Sequence, residues 1–209
     1  MKKNFGLIIS GVLLLVFVFI MINVLSQNIL SFDNTIYNFI SETCINEKNT
    51  PVVIFLTNFG APIFFIILTL ILMLVLWKSK KGLMIALNLI NIYVINRILK
   101  YAIQRERPPM ENRLVEETSF SFPSGHAMVG TTFYAFLIYI IYKDVKNKYL
   151  KYGLITFLSF IILSLVFTRV YLGVHYASDV IGGFVIAISY LIIFIKFGYN
   201  KFLNRKIGE

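Results

Sequence analysis

The sequence predicts an all-α integral membrane protein in which six helices cross the bilayer. Of its 209 residues, 58% are hydrophobic and only 14% are charged, whereas a soluble domain typically carries about 25% charged residues. The apolar residues are also gathered into blocks of about 20, the length that an α-helix needs to span a membrane. We therefore expect a single membrane-embedded domain over residues 1–209.

The predicted spans are six apolar blocks. In chain order they are Phe5–Leu25, Val52–Trp77, Gly82–Tyr101, Ser124–Tyr142, Tyr152–Val174 and Asp179–Phe197. The first follows two lysines, as the apolar part of a signal peptide does, but its length and the lack of a small-residue cleavage site predict an uncleaved span. Three asparagines and Arg97 interrupt the third block, so this span is expected to face other helices with its polar side.

The distribution of basic residues predicts the orientation, because cytoplasmic segments of membrane proteins are enriched in Lys and Arg. With the N-terminus inside, the cytoplasmic segments hold thirteen Lys/Arg and two Asp/Glu, a net charge of +11. The rest of the chain holds seven Lys/Arg and eight Asp/Glu, a net charge of −1. Both termini are therefore predicted to be cytoplasmic. The overall charge of +10 then reflects contact with anionic lipid head groups and does not indicate nucleic-acid binding.

The first outer loop contains the single Cys44, which has no partner for an internal disulfide. No second thiol and no spaced histidine pair accompanies it, so the sequence predicts no metal site. Several residues of this loop recur at helical spacing: Phe32, Ile36, Phe39, Ile40 and Thr43. They predict a short amphipathic helix, either a plain connection or a substrate-guiding helix on the outer membrane surface.

Three polar clusters interrupt the spans, and the predicted topology places all of them on the outer side. They are Lys100–Pro108, Pro123–His126 and Thr168–Asp179. A charged residue at bilayer depth costs about 2.5–3.5 kcal/mol on insertion scales, so ionisable residues there usually mark a functional site. Three clusters at one membrane face therefore predict one shared site.

The first property of this site is its capacity to bind an anion. Lys100, Arg107 and Arg169 are three cations on the face where the positive-inside rule disfavours them. Guanidinium groups offer two-pronged donors suited to phosphate oxygens, and a lysine offers a point charge. Pro123 and Ser124 are helix-start residues, and the backbone N–H groups of a helix N-terminus bind anions. An anion site explains these residues better than arginines that each extend to lipid phosphates.

The second property is a pair of histidines. His175 and Asp179 are four residues apart, which places both side chains on one face of a helix. A carboxylate that holds one ring nitrogen leaves the other free to attack phosphorus. His126, at the mouth of a span, is then the candidate general acid for the leaving oxygen.

These residues resemble the three motifs of the type 2 phosphatidic acid phosphatase superfamily. The matching patterns are Lys100-x6-Arg107-Pro108, Pro123-Ser124-Gly125-His126 and Thr168-Arg169-x5-His175-x3-Asp179. The likeness is strongest over residues 50–197 and includes the six-span layout. The family usually has serine where this chain has Thr168. A hydroxyl is retained, so activity is expected to survive.

The resemblance implies roles for the residues of each motif. Binding of the substrate phosphate is assigned to Lys100, Arg107, Ser124, Gly125 and Arg169. His175 would form a phosphohistidine intermediate, oriented by Asp179, and His126 would protonate the leaving group. Water would then release inorganic phosphate, and neither a metal nor another cofactor is needed.

The expected function is that of a metal-independent lipid phosphatase in a bacterial plasma membrane, with its active site facing outward. The expected substrate is undecaprenyl pyrophosphate, phosphatidylglycerol phosphate or phosphatidic acid, and the sequence does not choose among them. The alternatives are a lipid phosphotransferase of the same superfamily and a non-catalytic carrier of anionic lipids. A carrier should have polar residues along a path through the membrane. Substrate and membrane lipids are the expected partners, without nucleic acid or an obligate protein partner.

Overall fold

The structure is a computed structural model that describes residues 2–204. Its α-helices are α1 (Lys2–Leu25), α2 (Leu30–Thr43), α3 (Thr50–Thr57), α4 (Pro62–Val75), α5 (Lys81–Ile103), α6 (Gly125–Asp144), α7 (Lys148–Tyr171), α8 (Ala177–Ile193) and α9 (Asn200–Asn204). Three charges used to predict the orientation, Arg205, Lys206 and Glu209, lie outside the described residues, as do the side chains of Lys2 and Lys3.

Within the described residues, five helices are long and apolar enough to cross a membrane: α1, α5, α6, α7 and α8. The last of these continues through a π-helical turn, Phe194–Tyr199. With α3 and α4 counted as one bent span, the number is six. The prediction of an all-α membrane protein is therefore confirmed, whereas the cytoplasmic termini and the outward-facing site stay predictions.

The predicted second span, Val52–Trp77, is broken in the middle. α3 and α4 meet at an angle of 52°, with a 3-10 turn at Asn58–Gly60 between them. Pro62 is the first residue of α4. Proline lacks the backbone N–H that would continue the preceding helix and disfavours helical geometry at the residue before it. The break brings Gly60 against the ring of His126.

α6 lies at the centre of the bundle and contacts α5, α7 and α8, while α1 contacts α8. Glycines permit close approach at two of these contacts. A Cβ on Gly130 would lie 2.6 Å from Leu165 Cδ1 of α7, and a Cβ on Gly183 would lie 3.0 Å from the carbonyl oxygen of Ser124. These close contacts fix the N-terminus of α6 against α8.

The predicted helix in the first loop is present as α2. Ile36 and Ile40 contact the apolar cluster around the α7–α8 turn, whereas Phe32 and Phe39 are exposed. Asp33 shares the buried stripe with the two isoleucines and is fully buried. The helix α2 therefore packs against the bundle through the face that carries Asp33, Ile36 and Ile40. Whether it guides substrate stays open.

The ends of α5, α6, α7 and α8 meet at one end of the bundle, together with the loop over residues 104–124. Gln104, in the left-handed region with φ of 51°, ends α5 and turns the chain into this loop. The loop is held by backbone hydrogen bonds from Ser121 N to Arg105 O and from Leu114 N to Leu172 O. This end of the bundle contains all three polar clusters.

Candidate active site

A cavity of about 610 Å³ opens at this end of the bundle. Its polar lining includes Lys100, Arg107, Glu117, His126 and His175. Its opposite wall is formed by apolar side chains of α4 and α5, namely Phe65, Ile66, Leu89 and Ile90. Ile66 is 51% and Ile90 57% exposed, so part of this apolar lining lies at the surface of the bundle.

His175 and Asp179 contact each other in this structure, as their spacing predicts. His175 Nδ1 lies 3.3 Å from Asp179 Oδ2, and both side chains are buried. Asp179 Oδ2 also accepts hydrogen bonds from the Ser121 hydroxyl, at 2.5 Å, and from the backbone N–H of Tyr176, at 2.9 Å. Asp179 is the third residue of α8, where a carboxylate also caps the helix N-terminus. The imidazole is thus held by a carboxylate that is itself fixed.

The other ring nitrogen of His175 faces a cation. Arg107 Nη1 lies 3.2 Å from His175 Nε2. A guanidinium has only donors, so Nε2 must accept this bond. In the neutral ring the proton is then assigned to Nδ1, on the side of Asp179. Nε2 therefore carries the lone pair that a nucleophile needs, beside a group that binds phosphate oxygens.

The protein environment keeps His175 neutral. Burial lowers its pKa well below the ordinary value of 6.5, and Arg107, Lys100, Arg169 and Arg105 lower it further. Burial is also the main cause that lowers the pKa of Arg107, to about 10, although Glu117 opposes this change. At neutral pH the site therefore pairs an uncharged imidazole with a protonated guanidinium.

Arg107 and Lys100 are held in place by carbonyl groups of the surrounding loops. Arg107 donates to Ser119 O at 2.6 Å and to Val174 O at 2.7 Å. Lys100, at the end of α5, donates to Ser121 O at 3.1 Å and also to the carbonyl of Phe120. These carbonyl groups fix both cations without neutralising their charge.

Arg169 lies deeper and reaches the cavity through Glu117. It is 2% exposed, donates to Thr57 Oγ1 at 3.0 Å, and forms an ion pair with Glu117. Glu117 Oε2 also lies 3.5 Å from Arg107 Nη2. Arg169 Nε is buried without a hydrogen-bond partner. One carboxylate thus bridges two of the three predicted phosphate-binding cations, and sequence reasoning missed it.

The helix-start motif contributes unequally to the cavity. Gly125 and His126 line it, and a Cβ on Gly125 would lie 3.4 Å from Asn96 Oδ1. Ser124 is fully buried, and its hydroxyl caps α6 by accepting the Ala127 N–H at 3.5 Å. The structure therefore places Ser124 behind the cavity wall, where its hydroxyl has a structural contact.

Thr168 is also turned away from the cavity. It is fully buried, and its hydroxyl lies 3.3 Å from Leu165 O and 3.4 Å from Thr57 Oγ1. A threonine hydroxyl on a helix commonly donates to a carbonyl of the preceding turn. Thr168 is therefore not among the residues that line the cavity.

Two further charged residues, Arg105 and Asp33, support the site, and their roles were not predicted from the sequence. Arg105 donates to Asp179 Oδ1 at 2.6 Å and to Asp33 Oδ2 at 2.7 Å. Both carboxylates are fully buried. The sequence feature that could have indicated this contact is Asp33 itself, an acidic residue on the apolar stripe of α2, three residues before Ile36. Nothing in the sequence linked it to Arg105 or to α8.

The described residues contain no group of three or more His, Cys, Asp or Glu side chains placed to hold a metal ion. His175 has a carboxylate partner, Asp179, and a guanidinium partner, Arg107, which suit acid–base and nucleophilic chemistry. The metal independence expected from the resemblance stays a prediction.

Comparison with known proteins identifies the family. The model of the PAP2 superfamily matches residues 81–203, which include all three motifs. The chain belongs to the PAP2 superfamily. The predicted resemblance is therefore confirmed, and the matched region starts with α5 and ends in α9.

Two relatives are similar to this chain over most of their length. Phosphatidylglycerophosphatase B of Bacillus subtilis (strain 168) is 33% identical over 170 residues, covering 79% of this chain and 80% of the relative. An undecaprenyl-diphosphatase of Sulfolobus acidocaldarius is 25% identical over 203 residues, covering 94% and 93%.

A solved PAP2 structure has the same fold. It is the crystal structure of the first transmembrane PAP2 type phosphatidylglycerolphosphate phosphatase from Bacillus subtilis. The superposition has a TM-score of 0.82 at 29% identity and covers 94% of this chain and 98% of that one. The likeness therefore extends to α1–α4, which precede the region matched by the family model.

Proposed function

We propose that this PAP2 protein is a metal-independent lipid phosphate phosphatase that works through a phosphohistidine at His175. The observation that carries the proposal is the arrangement around this residue. Its Nδ1 faces the carboxylate of Asp179 at 3.3 Å, and its Nε2 faces the guanidinium of Arg107 at 3.2 Å. A phosphate bound by Arg107 would lie beside the nitrogen that attacks it.

The first step forms a bond between His175 Nε2 and phosphorus and breaks the bond between phosphorus and the leaving oxygen. His126 donates a proton to that oxygen, because an unprotonated alkoxide is a poor leaving group. Lys100 and Arg107 stabilise the negative charge that is spread over the phosphoryl oxygens in the transition state. Asp179 stabilises the positive charge that develops on the imidazole.

The second step is hydrolysis. A water molecule gives a proton to His126, its oxygen attacks phosphorus, and the N–P bond breaks. Inorganic phosphate leaves, and His175 returns to its neutral state. His126 is thereby protonated again for the next cycle, so both steps balance without a metal or a second cofactor.

The shape of the cavity supports a lipid substrate. The polar wall would bind the phosphate, while the apolar wall of α4 and α5 continues to exposed side chains such as Ile66 and Ile90. A lipid could therefore present its head group to His175 and keep its tails in the bilayer. The names of the two relatives make phosphatidylglycerol phosphate and undecaprenyl diphosphate the first substrates to test.

The test is phosphate release by purified protein in detergent with excess chelator. We expect turnover of at least one lipid in a panel of phosphatidylglycerol phosphate, phosphatidic acid and undecaprenyl diphosphate. His175→Ala should abolish it, whereas Tyr149→Phe, an exposed residue at the opposite end of the bundle, should not. Turnover that survives in His175→Ala, or that needs a divalent cation, would contradict the mechanism. Transfer of phosphate to a lipid acceptor instead of water would favour the phosphotransferase.

A further inference from the structure

Two buried carboxylates share a single guanidinium next to the catalytic pair. Arg105 places Nη1 2.6 Å from Asp179 Oδ1 and Nη2 2.7 Å from Asp33 Oδ2. The side chains of both aspartates are 0% exposed and that of Arg105 is 9% exposed. The guanidinium also lies 4.1 Å from the ring centre of Tyr176. Each prong of Arg105 therefore has its own carboxylate.

Asp33 also binds the beginning of α8 directly. Its Oδ1 accepts the backbone N–H of Ser178 at 2.8 Å, and its Oδ2 accepts the Ser178 hydroxyl at 2.7 Å. The first N–H groups of a helix lack intrahelical partners, and a carboxylate there is favoured by the helix dipole. Asp33 thus fixes the turn of α8 that carries Asp179, although it belongs to α2.

The charges of this group matter for His175. The formal charges of Asp33, Arg105 and Asp179 sum to −1, and they lie beside an imidazole whose other charged neighbours are Lys100, Arg107 and Arg169. If Arg105 were paired with Asp179 alone, the two charges would cancel. Asp33 attracts the second prong of the guanidinium, so Asp179 keeps part of its negative charge for an imidazole that becomes positive during the reaction.

The contacts of Asp179 are divided between its two oxygens, which also indicates that one oxygen is kept for His175. Arg105 takes Oδ1, and Oδ2 is left to Ser121, Tyr176 N and His175 Nδ1. The guanidinium of Arg105 is itself held by Asp33 through its second prong. Its bond to Oδ1 therefore keeps the Asp179 carboxylate from rotating, and Oδ2 stays directed at the imidazole. Burial of three charges is costly unless each is paired and hydrogen-bonded, and here every charge is paired.

We propose that Asp33 is a positioning residue for catalysis, which acts through Arg105 to hold Asp179 Oδ2 against His175. The proposal rests on the proposed function and adds a helix outside the three motifs to the catalytic apparatus. Neither Asp33 nor Arg105 lines the cavity, so neither is assigned a contact with substrate. Their effect is therefore expected on the chemical step.

The experiment compares Asp33→Asn with Glu42→Gln in the full chain. Both replacements remove one negative charge from α2, but Glu42 is exposed. We expect Asp33→Asn to lower kcat about 10- to 100-fold, by analogy with the loss of outer partners that orient metal-bound histidines. KM should stay within about twofold, and Glu42→Gln should match the wild type. Each rate is divided by the amount of folded protein, and the folded fraction of each variant is determined by thermal unfolding in detergent.

Arg105 variants test whether Asp33 acts through the guanidinium. Arg105→Lys keeps the charge but loses the two-pronged geometry, so it should retain more activity than Arg105→Gln. The double variant Asp33→Asn/Arg105→Gln should be little slower than Arg105→Gln alone, because the contact between Asp33 and the guanidinium is already lost and an asparagine amide oxygen can still accept the Ser178 N–H.

A purely structural role predicts a different result. In that case Asp33→Asn would lower the unfolding temperature but leave kcat per folded molecule unchanged. If Asp33→Asn instead lowered kcat by a route independent of Arg105, the two single effects on kcat would multiply in the double variant. Either result would overturn the proposal. A wild-type protein without lipid phosphatase turnover would instead refute the proposed function itself, and this inference with it.

Discussion

Replacement of Gly60 by alanine should displace the proposed general acid without touching any motif. Gly60 lies in the turn between α3 and α4 and is buried. A Cβ at this position would lie 2.4 Å from His126 Cδ2, 3.0 Å from His126 Cγ and 2.9 Å from Leu165 Cδ2. Carbon atoms in contact prefer a separation of about 3.5–4.0 Å. The imidazole must therefore move by about 1 Å.

A displacement of about 1 Å in a catalytic group can cost about 100-fold in rate, which corresponds to about 2.7 kcal/mol of activation free energy. We therefore expect Gly60→Ala to lower kcat for a lipid phosphomonoester by about two orders of magnitude. An aryl phosphate such as p-nitrophenyl phosphate has a leaving group that needs little protonation. The first step with this substrate, measured as p-nitrophenol release in a single turnover, should fall much less, because the proton from His126 contributes little to that step.

Gly130→Ala is the matched control. Its Cβ would lie 2.6 Å from Leu165 Cδ1, so both variants press on the same leucine, but only Gly60→Ala also meets His126. Overpacking lowers the free energy of unfolding by about 1–3 kcal/mol. At Gly130, which lies in a helix, the higher helix propensity of alanine raises it by about 1 kcal/mol. The assays are steady-state phosphate release and single-turnover release of the leaving group with both substrates, together with thermal unfolding. Equal losses of kcat in the two variants, or equal losses of the single-turnover rate for both substrates in Gly60→Ala, would refute the reasoning.

Three further predictions concern the charges and hydroxyls around the cavity. His175, the proposed nucleophile, must be neutral to attack, and burial lowers its pKa, so activity should persist as the pH falls and be lost only below its folded-state pKa. The acid limb of kcat/KM should lie below pH 6.5, and a limb above that value would contradict the environment described here. Glu117→Gln frees Arg107 and Arg169, so KM and the inhibition constant of inorganic phosphate should fall several-fold while the unfolding temperature drops. An unchanged or higher KM would show that Glu117 does not compete with phosphate. Thr168→Ser should leave KM within about twofold, because this hydroxyl contacts Leu165 O, and a tenfold change would place it in the binding site.

The sequence was sufficient for the features that depend on local spacing. Apolar blocks predict spans because a bilayer requires about 20 apolar residues per helix, and five long helices are present within the described residues. His175 and Asp179 share a helix face because of their spacing of four, and their contact is present at 3.3 Å. The three motifs also predicted that Lys100, Arg107 and His126 line one cavity, as they do.

The bend between α3 and α4 was not predicted, although Gly60 and Pro62 stand at that position. The hydropathy of Val52–Trp77 is continuous, and hydropathy does not register a change in direction. The roles expected for Ser124 and Thr168 were transferred from a pattern of residue types. The structure directs both hydroxyls to backbone groups, because the orientation of a side chain depends on which face of its helix the neighbours cover.

Spacing along the chain determined which residues form the proposed catalytic pair, His175 and Asp179, and which cations lie near it. Only the tertiary structure decided what holds them. Asp33 lies 145 residues before Ser178, and Glu117 reaches Arg169 across 52 positions. No periodicity connects such positions, since the contacts exist only after α2 and the loop over residues 104–124 have packed against the ends of α7 and α8. A buried charge must find its counter-charge wherever the fold provides one, and that partner is set by packing in three dimensions.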